Sequence, residues 1–179
     1  MTFFVPGRAA PGGSKRAFRN RTTGRIAVVE AAKGNAAWRV DVRAEAEAAL
    51  LAAVSPGQSA LIYPGEYDPV CACLRCRLWR EPLDLYVTFA VARPRGHYGM
   101  SGELRPRYRA ALPTTRPDLT KLLRALEDAL TGIVWRDDAQ VVLQWVTKGY
   151  AVNGRIGAHV IVAPIADRAT DRPTEEASK

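Results

Sequence analysis

The sequence predicts an α+β fold: a single domain whose mixed β-sheet carries two packed helices, in the order β-β-α-β-α-β-β. Three observations predict it. The chain has 179 residues, 47% of them hydrophobic, enough for one core. Two segments repeat apolar residues at helical spacing. The other apolar runs are short, rich in β-branched and aromatic residues, and bounded by Gly, Pro or Asn. Strands mixed with helices in this way suggest helices laid on a sheet.

Each element has its own signal. Thr2 to Arg8 reads as a strand ended by Pro6-Gly7. Pro11 to Gly24, rich in Gly, Pro, Ser and Arg, reads as a loop. Arg25 to Glu30 reads as a second strand, which would make residues 2–30 a hairpin with a long basic connection. Asn35 to Val54 is a helix with Asn35 as N-cap and Trp38, Val42, Ala46, Ala49, Leu50 and Ala53 near helical spacing. Gln58 to Arg80 is irregular and holds the cysteines. Leu83 to Ala92 is the clearest strand, and Arg93 to Thr115 is a second long basic loop, of a length usually tied to function or mobility. A helix follows Asp118 and stops at Thr131-Gly132. Ala139 to Val146 and Ile156 to Ile165 are strands joined through Lys148 to Arg155, with Asn153-Gly154 as a turn signal. From Ala166 the composition predicts a disordered polar tail.

The formal net charge is +8 and the sequence pI about 9.8, a bias toward nucleic acid, phosphate-rich ligands or anionic membrane. A spanning helix needs ~20 apolar residues and no run approaches that, so no membrane partner is expected. The N-terminus lacks the charge and apolar length of a signal peptide, and the expected location is the cytoplasm. Residues 1–29 contain no acid. Within them Lys15, Arg16, Phe18, Arg19 and Arg21 form a candidate DNA-contacting loop, since cations bind phosphates and an aromatic can stack on an unpaired base. The plain alternative is a mobile basic loop with Phe18 packed on the domain. Arg105 and Arg107, near His97, Tyr98 and Tyr108, are candidates for lining the same groove.

The acidic residues are placed differently. Leu119, Leu122, Leu123, Leu126 and Leu130 form one apolar stripe. The other face carries Asp118, Lys121, Arg124, Glu127 and Asp128, and Asp137-Asp138 follows in the next turn. Converging carboxylates suit Mg²⁺, which takes oxygen ligands and keeps several waters. Such a site supports phosphodiester hydrolysis, with Lys121 or Arg124 stabilising phosphate charge. The alternative is a cap at Asp118, turn residues at Asp137-Asp138 and a solvated helix face.

These residues also match a known pattern. Arg116-Pro117-Asp118-Leu119, then Leu122, then Asp128-Ala129-Leu130, then Asp137-Asp138-Ala139-Gln140-Val141 resembles the RusA family of Holliday junction resolvases, whose pattern runs PDxDNLxK, DAL and DDxQV. The opening VPGRAAPGGSKR is similar to the family's start, and the likeness extends loosely over residues 2–165, suggesting one endonuclease domain across 1–165 with a Cys-containing insertion at 58–80 and the tail at 166–179. The resemblance implies a homodimer binding four-way junction DNA and cutting opposed strands with Mg²⁺, Mn²⁺ substituting. It implies catalytic roles for Asp118, Asp138, Lys121 and Arg124, and metal ligation by Asp118, Asp138, Asp137 and Asp128. The family's lysine falls on Arg124, and Lys121 stands at the usual Asn. One departure weakens the match: the second acid of PDxD falls on Thr120, which has no charge, so a junction-binding homologue with weak or no cleavage is the alternative expectation.

Cys71, Cys73 and Cys76 have zinc-like spacing without a clear fourth ligand, Asp68, His97 or a partner subunit being candidate sources; the alternative is three ordinary thiols. Trp38, Trp79, Trp135 and Trp145 are expected in the core or at a dimer interface, and His159 in a structural role within a strand.

Overall fold

A computed structural model describes residues 1–12, 15–30, 34–53 and 78–165. The expectations for Cys71, Cys73 and Cys76, for most of the 58–80 segment and for the tail from 166 lie outside the described residues. The described elements are β1 (Thr2–Pro6), β2 (Lys15–Arg19), β3 (Ile26–Glu30), α1 (Asn35–Ala53), β4 (Leu83–Val91), α2 (Leu119–Leu130), β5 (Val141–Tyr150) and β6 (Gly157–Pro164). The fold is α+β, a mixed sheet with two helices, as expected.

Among the described residues the main sheet runs β1-β6-β4-β5. β4 is parallel to β5 and antiparallel to β6, and β6 is antiparallel to β1. Side chains alternate across the sheet. Leu83, Leu85, Val87 and Phe89 of β4 point to the helix side with Ala158, Val160 and Val162 of β6 and Phe3 and Val5 of β1, all buried. α1 meets them with Trp38, Val42, Ala46 and Leu50, one residue every four positions. α2 meets them with Leu122, Ala125, Leu126, Ala129 and Leu130. Burying each Leu-sized side chain stabilises the fold by about 1.5–3 kcal/mol. Gly12 lies on α2: its N–H donates to the Lys121 carbonyl at 2.8 Å, and an added Cβ would stand 3.2 Å from the Ala125 backbone.

Three expectations need correction. The expected hairpin between the first strand and Arg25–Glu30 does not form. β1 pairs instead with β6, Phe3 opposite Val160, while β3 pairs with β2, a strand inside the segment expected to be a loop. The basic KRAFR run is extended because a tight turn folds it onto β3. Asn20 accepts from the Thr22 and Thr23 N–H groups at 2.9 and 3.1 Å, and Gly24 supplies a left-handed residue at φ +68°. The order is therefore β-β-β-α-β-α-β-β. Second, β5 and β6 are not neighbours although Asn153 and Gly154 adopt the left-handed turn conformation (φ 52° and 71°); β4 lies between them. β5 also extends to Tyr150, which brings Lys148 into the sheet. Third, Asn35 lies inside α1, where its buried amide donates to the Pro11 carbonyl at 3.0 Å and ties the helix to the β1 exit. The Gly34 carbonyl accepts the first helical bond, from Trp38.

Trp38, Trp79 and Trp135 are buried, as expected for core residues. Trp145 is 65% exposed on β5, so the core is not its place.

Candidate functional site

The geometry is set by α2, which holds acidic residues at both ends. Asp118 is its N-cap residue, in extended conformation, but its carboxylate makes no capping bond. It faces Lys121 Nζ at 3.4 Å instead. Beside it, Lys148 Nζ from β5 donates to the Thr115 and Pro117 carbonyls, both at 2.9 Å. Thr120 is exposed on the first turn, and Arg124 is exposed one turn later.

The other end belongs to Asp138. Thr131 ends α2, and the buried Trp135 donates its indole N–H to Asp138 Oδ1 at 3.0 Å and to Thr131 Oγ1 at 3.2 Å. The Thr131 hydroxyl, with one proton, faces both the Glu127 carbonyl and Asp138 Oδ1. Asp138 is therefore exposed but orientationally fixed by a buried ring. Asp137 caps the short turn Asp138–Gln140, accepting from the Ala139 N–H at 2.9 Å, while Gln140 Oε1 accepts from the Asp137 N–H at 3.0 Å. The Gln140 amide also donates to the Trp79 carbonyl at 2.8 Å. The Asp-Asp-x-Gln run is thus a capping box that sets the entry to β5 and aims Asp138 outward.

Glu127 joins this end. Its carboxylate accepts from the Gln144 amide of β5. Burial, then the Asp138 and Asp128 charges, push its pKa up to about 7. Desolvation and like charges both disfavour ionisation. The sequence puts Glu127 on the polar face of α2 but does not single it out as a metal ligand. A signal was available: Glu127 lies seven positions after Thr120, within ~20° of two full turns, so the two share a face.

Asp128 is turned elsewhere. It stands 3.8 Å from the Arg39 guanidinium of α1, which also donates to the Asp128 carbonyl at 2.8 Å. Asp118 and Asp128 are not brought together: Asp118 pairs with Lys121 and Asp128 with Arg39, while Ala125 between them is fully buried and meets Gly12. Asp118 and Asp138 do not converge within one chain. Thirteen residues separate Asp118 from Thr131, which at 1.5 Å rise is about 20 Å. Among the described residues no three His, Cys, Asp or Glu side chains meet to hold a metal. Glu127 and Asp138 are near enough for the Asp138 charge to raise the Glu127 pKa, and two carboxylates with hard oxygen donors are what a Mg²⁺ site commonly supplies.

The basic residues lie in two further groups. On the β2–β3 ribbon Phe18 is 50% exposed, Arg19 and Arg21 are exposed, and Arg19 donates to the Gly24 carbonyl at 3.1 Å. Lys15 and Arg16 lie on β2 opposite Glu30 and Val29. In the 93–115 segment the His97 and Tyr108 rings stack at 4.0 Å, the Tyr150 ring meets His97 edge-on at 5.5 Å, and Arg107 lies 4.7 Å over Tyr108. Arg105 is exposed at the start of the short turn Pro106–Tyr108. No helix among the described residues is long and apolar enough to cross a membrane.

The family described as Endodeoxyribonuclease RusA matches residues 71–161, just over half of the chain, including β4, α2, the capping-box turn and β5. Among curated proteins, "Uncharacterized protein YqaN" of Bacillus subtilis (strain 168) is 39% identical over 44 residues, 25% of this chain and 31% of that protein. The match spans about a third of that relative's length.

Proposed function

The chain belongs to the RusA family of endodeoxyribonucleases, and from that premise we propose that it is a Mg²⁺-dependent nuclease that cuts opposed strands of four-way DNA junctions. The observation that carries the reading is Asp138, an exposed carboxylate held by the buried Trp135 indole and the Thr131 hydroxyl beside Glu127. Such fixed orientation suits a group that must meet a substrate or ion rather than merely solvate a surface.

Asp138 and Glu127 are the residues that would hold Mg²⁺. When bound there, the ion would polarise the scissile phosphate and make a water nucleophilic at neutral pH. The chain itself supplies the rest. Trp135 and Thr131 hold Asp138, Gln144 orients Glu127, and Arg124, exposed on the same helix face, offers positive charge to the phosphate. Phe18, Arg19 and Arg21 of the ribbon, with Lys15 and Arg16 in the sequence of the same strand, and Arg105 and Arg107 of the second loop, would grip the arms of the junction.

Asp118 enters through a second copy of the chain. Among the described residues β5 is a sheet edge, with Val142 and Trp145 61% and 65% exposed. α2 and β5 run in opposite directions, since Glu127 meets Gln144 and Pro117 meets Lys148. A homodimer pairing β5 with β5 antiparallel would carry Asp118 of the partner subunit toward Glu127 and Asp138, and would cover Trp145.

The test is cleavage of a synthetic four-way junction with Mg²⁺ or EDTA, by wild type and by Asp138→Asn. Mg²⁺-dependent nicks that vanish in the variant support the reading; no cleavage across a range of junction sequences would sink it. The neutral Thr120 favours a second reading, junction binding with weak or no cutting, which predicts tight binding by a silent wild type.

A further inference from the structure

We propose that a cleft beside Asp118, lined by Arg8, Arg93, Arg116, Lys148 and Tyr150, is a dedicated site for one backbone phosphate of the bound DNA strand. The inference rests on the DNA reading above but concerns a different part of the molecule from the Asp138 end and the β2–β3 ribbon, and other cations than Arg105 and Arg107.

The cleft encloses about 230 Å³. Its four cations come from separate segments: the exit of β1, the exit of β4, the residues before α2, and β5. No carboxylate stands among its described lining residues. Asp118, next to Arg116 and Pro117 in sequence, faces Lys121. The cations are positioned by groups that leave their charge intact. Lys148 donates to the Thr115 and Pro117 carbonyls, which accounts for two of its three N–H donors. Arg93 donates from Nη1 to the Tyr108 carbonyl at 2.7 Å and lies 4.3 Å over the Tyr150 ring. Like charges held together in a concave, partly desolvated place repel one another, and an anion relieves that repulsion.

Size and chemistry select the ligand. The volume is below the ~300–1,000 Å³ of clefts that take a drug-sized molecule, so a phosphate with part of its sugar fits and a whole nucleotide does not. Arg93 already covers one face of Tyr150 and His97 approaches it edge-on, which disfavours a stacked base there. Arg guanidinium groups match phosphate oxygens in pairs. The cleft lies beside the N-terminus of α2, so a strand anchored in it passes Asp118.

The test uses the full-length protein and a labelled four-way junction, with binding measured over a range of salt for wild type, Arg8→Gln and Arg93→Gln. Arg8 is exposed, so its substitution leaves the fold intact even if Arg93→Gln loosens the aromatic stack; melting curves check both. The salt slope of wild type is expected to be steep and to fall by about 1 in each variant. In a parallel scan, neutral methylphosphonates replace single phosphates. One position is expected to weaken wild type several-fold and to leave Arg8→Gln unaffected. Slopes equal to wild type in both variants, or additive losses at every scanned position, would overturn the site. Failure of the DNA reading has its own signature, a wild type with no salt-dependent binding at all.

Discussion

The indole of Trp135 and the carboxylate of Asp138 are joined by a 3.0 Å hydrogen bond between a fully buried ring and an exposed acid. The bond links the core to the proposed cutting centre. Trp135→Phe keeps an aromatic ring but a smaller one, and removes the N–H. The variant is expected to lose about 2–3 kcal/mol of stability, from the lost hydrogen bond and the cavity left in the core. Its cleavage rate is expected to fall by about tenfold or more, because misplacing a reacting group is costly. Melting curves and single-turnover kinetics read the two effects separately, and a rate equal to wild type would count against the orienting role.

Thr120 stands where the motif has an acid, two residues after Asp118, and in the proposed dimer it would approach the metal together with Asp118, across the subunit boundary. Thr120→Asp is expected to tighten Mn²⁺ and Mg²⁺ binding by roughly 10-fold, a carboxylate replacing a neutral oxygen. Titration calorimetry measures this without any cleavage assay. Unchanged affinity would place Thr120 outside the metal's reach.

Glu127 gives the metal-free protein a pH signature. Its folded-state pKa is raised from an ordinary 4.5 to about 7. The folded state therefore binds more protons than the unfolded state between these values. Stability is highest below about 4.5, falls as pH rises toward 7, and is level above it as far as this group is concerned. The side chain is only partly buried, so solvent screening reduces the effect to about 1–2 kcal/mol. Glu127→Gln is expected to remove this slope and to stabilise the protein at pH 8 in EDTA, as read by denaturant melts. A slope that survives the substitution would assign it to another group.

Asp118 and Thr131, which bonds Asp138, lie about 20 Å apart along α2, and this predicts complementation between chains. Asp118→Asn and Asp138→Asn proteins, each inactive alone, are expected to regain cutting when refolded together. The mixed dimer keeps one site intact, with Asp118 from one chain and Asp138 from the other. No recovery in a mixture shown to contain heterodimers would argue for a site within one chain.

Much of this was legible from residues. The leucine spacing located α2, and Asp118 falls at its N-cap position because the apolar stripe begins at Leu119. β4 was visible because its side chains alternate and it holds no Gly or Pro. The ribbon strand Lys15–Arg19 was not, since a charged pentapeptide is extended only through its pairing with β3, a non-local fact. Strand order was equally hidden: Asn153-Gly154 forms its turn, yet the chain steps over β4. Glu127 was overlooked because its importance comes from Gln144 and Asp138, neither on its own helix. The expected convergence of the two acidic ends does not occur within one chain, although helix length alone implies their separation.

Single-turnover mapping of nicks on a synthetic four-way junction in Mg²⁺ tests whether Asp138 drives the cutting. Wild type is expected to make paired nicks in opposed strands and none in EDTA, and Asp138→Asn to bind the junction without nicking it. Equal cutting by Asp138→Asn, or cutting that persists in EDTA, would contradict that role.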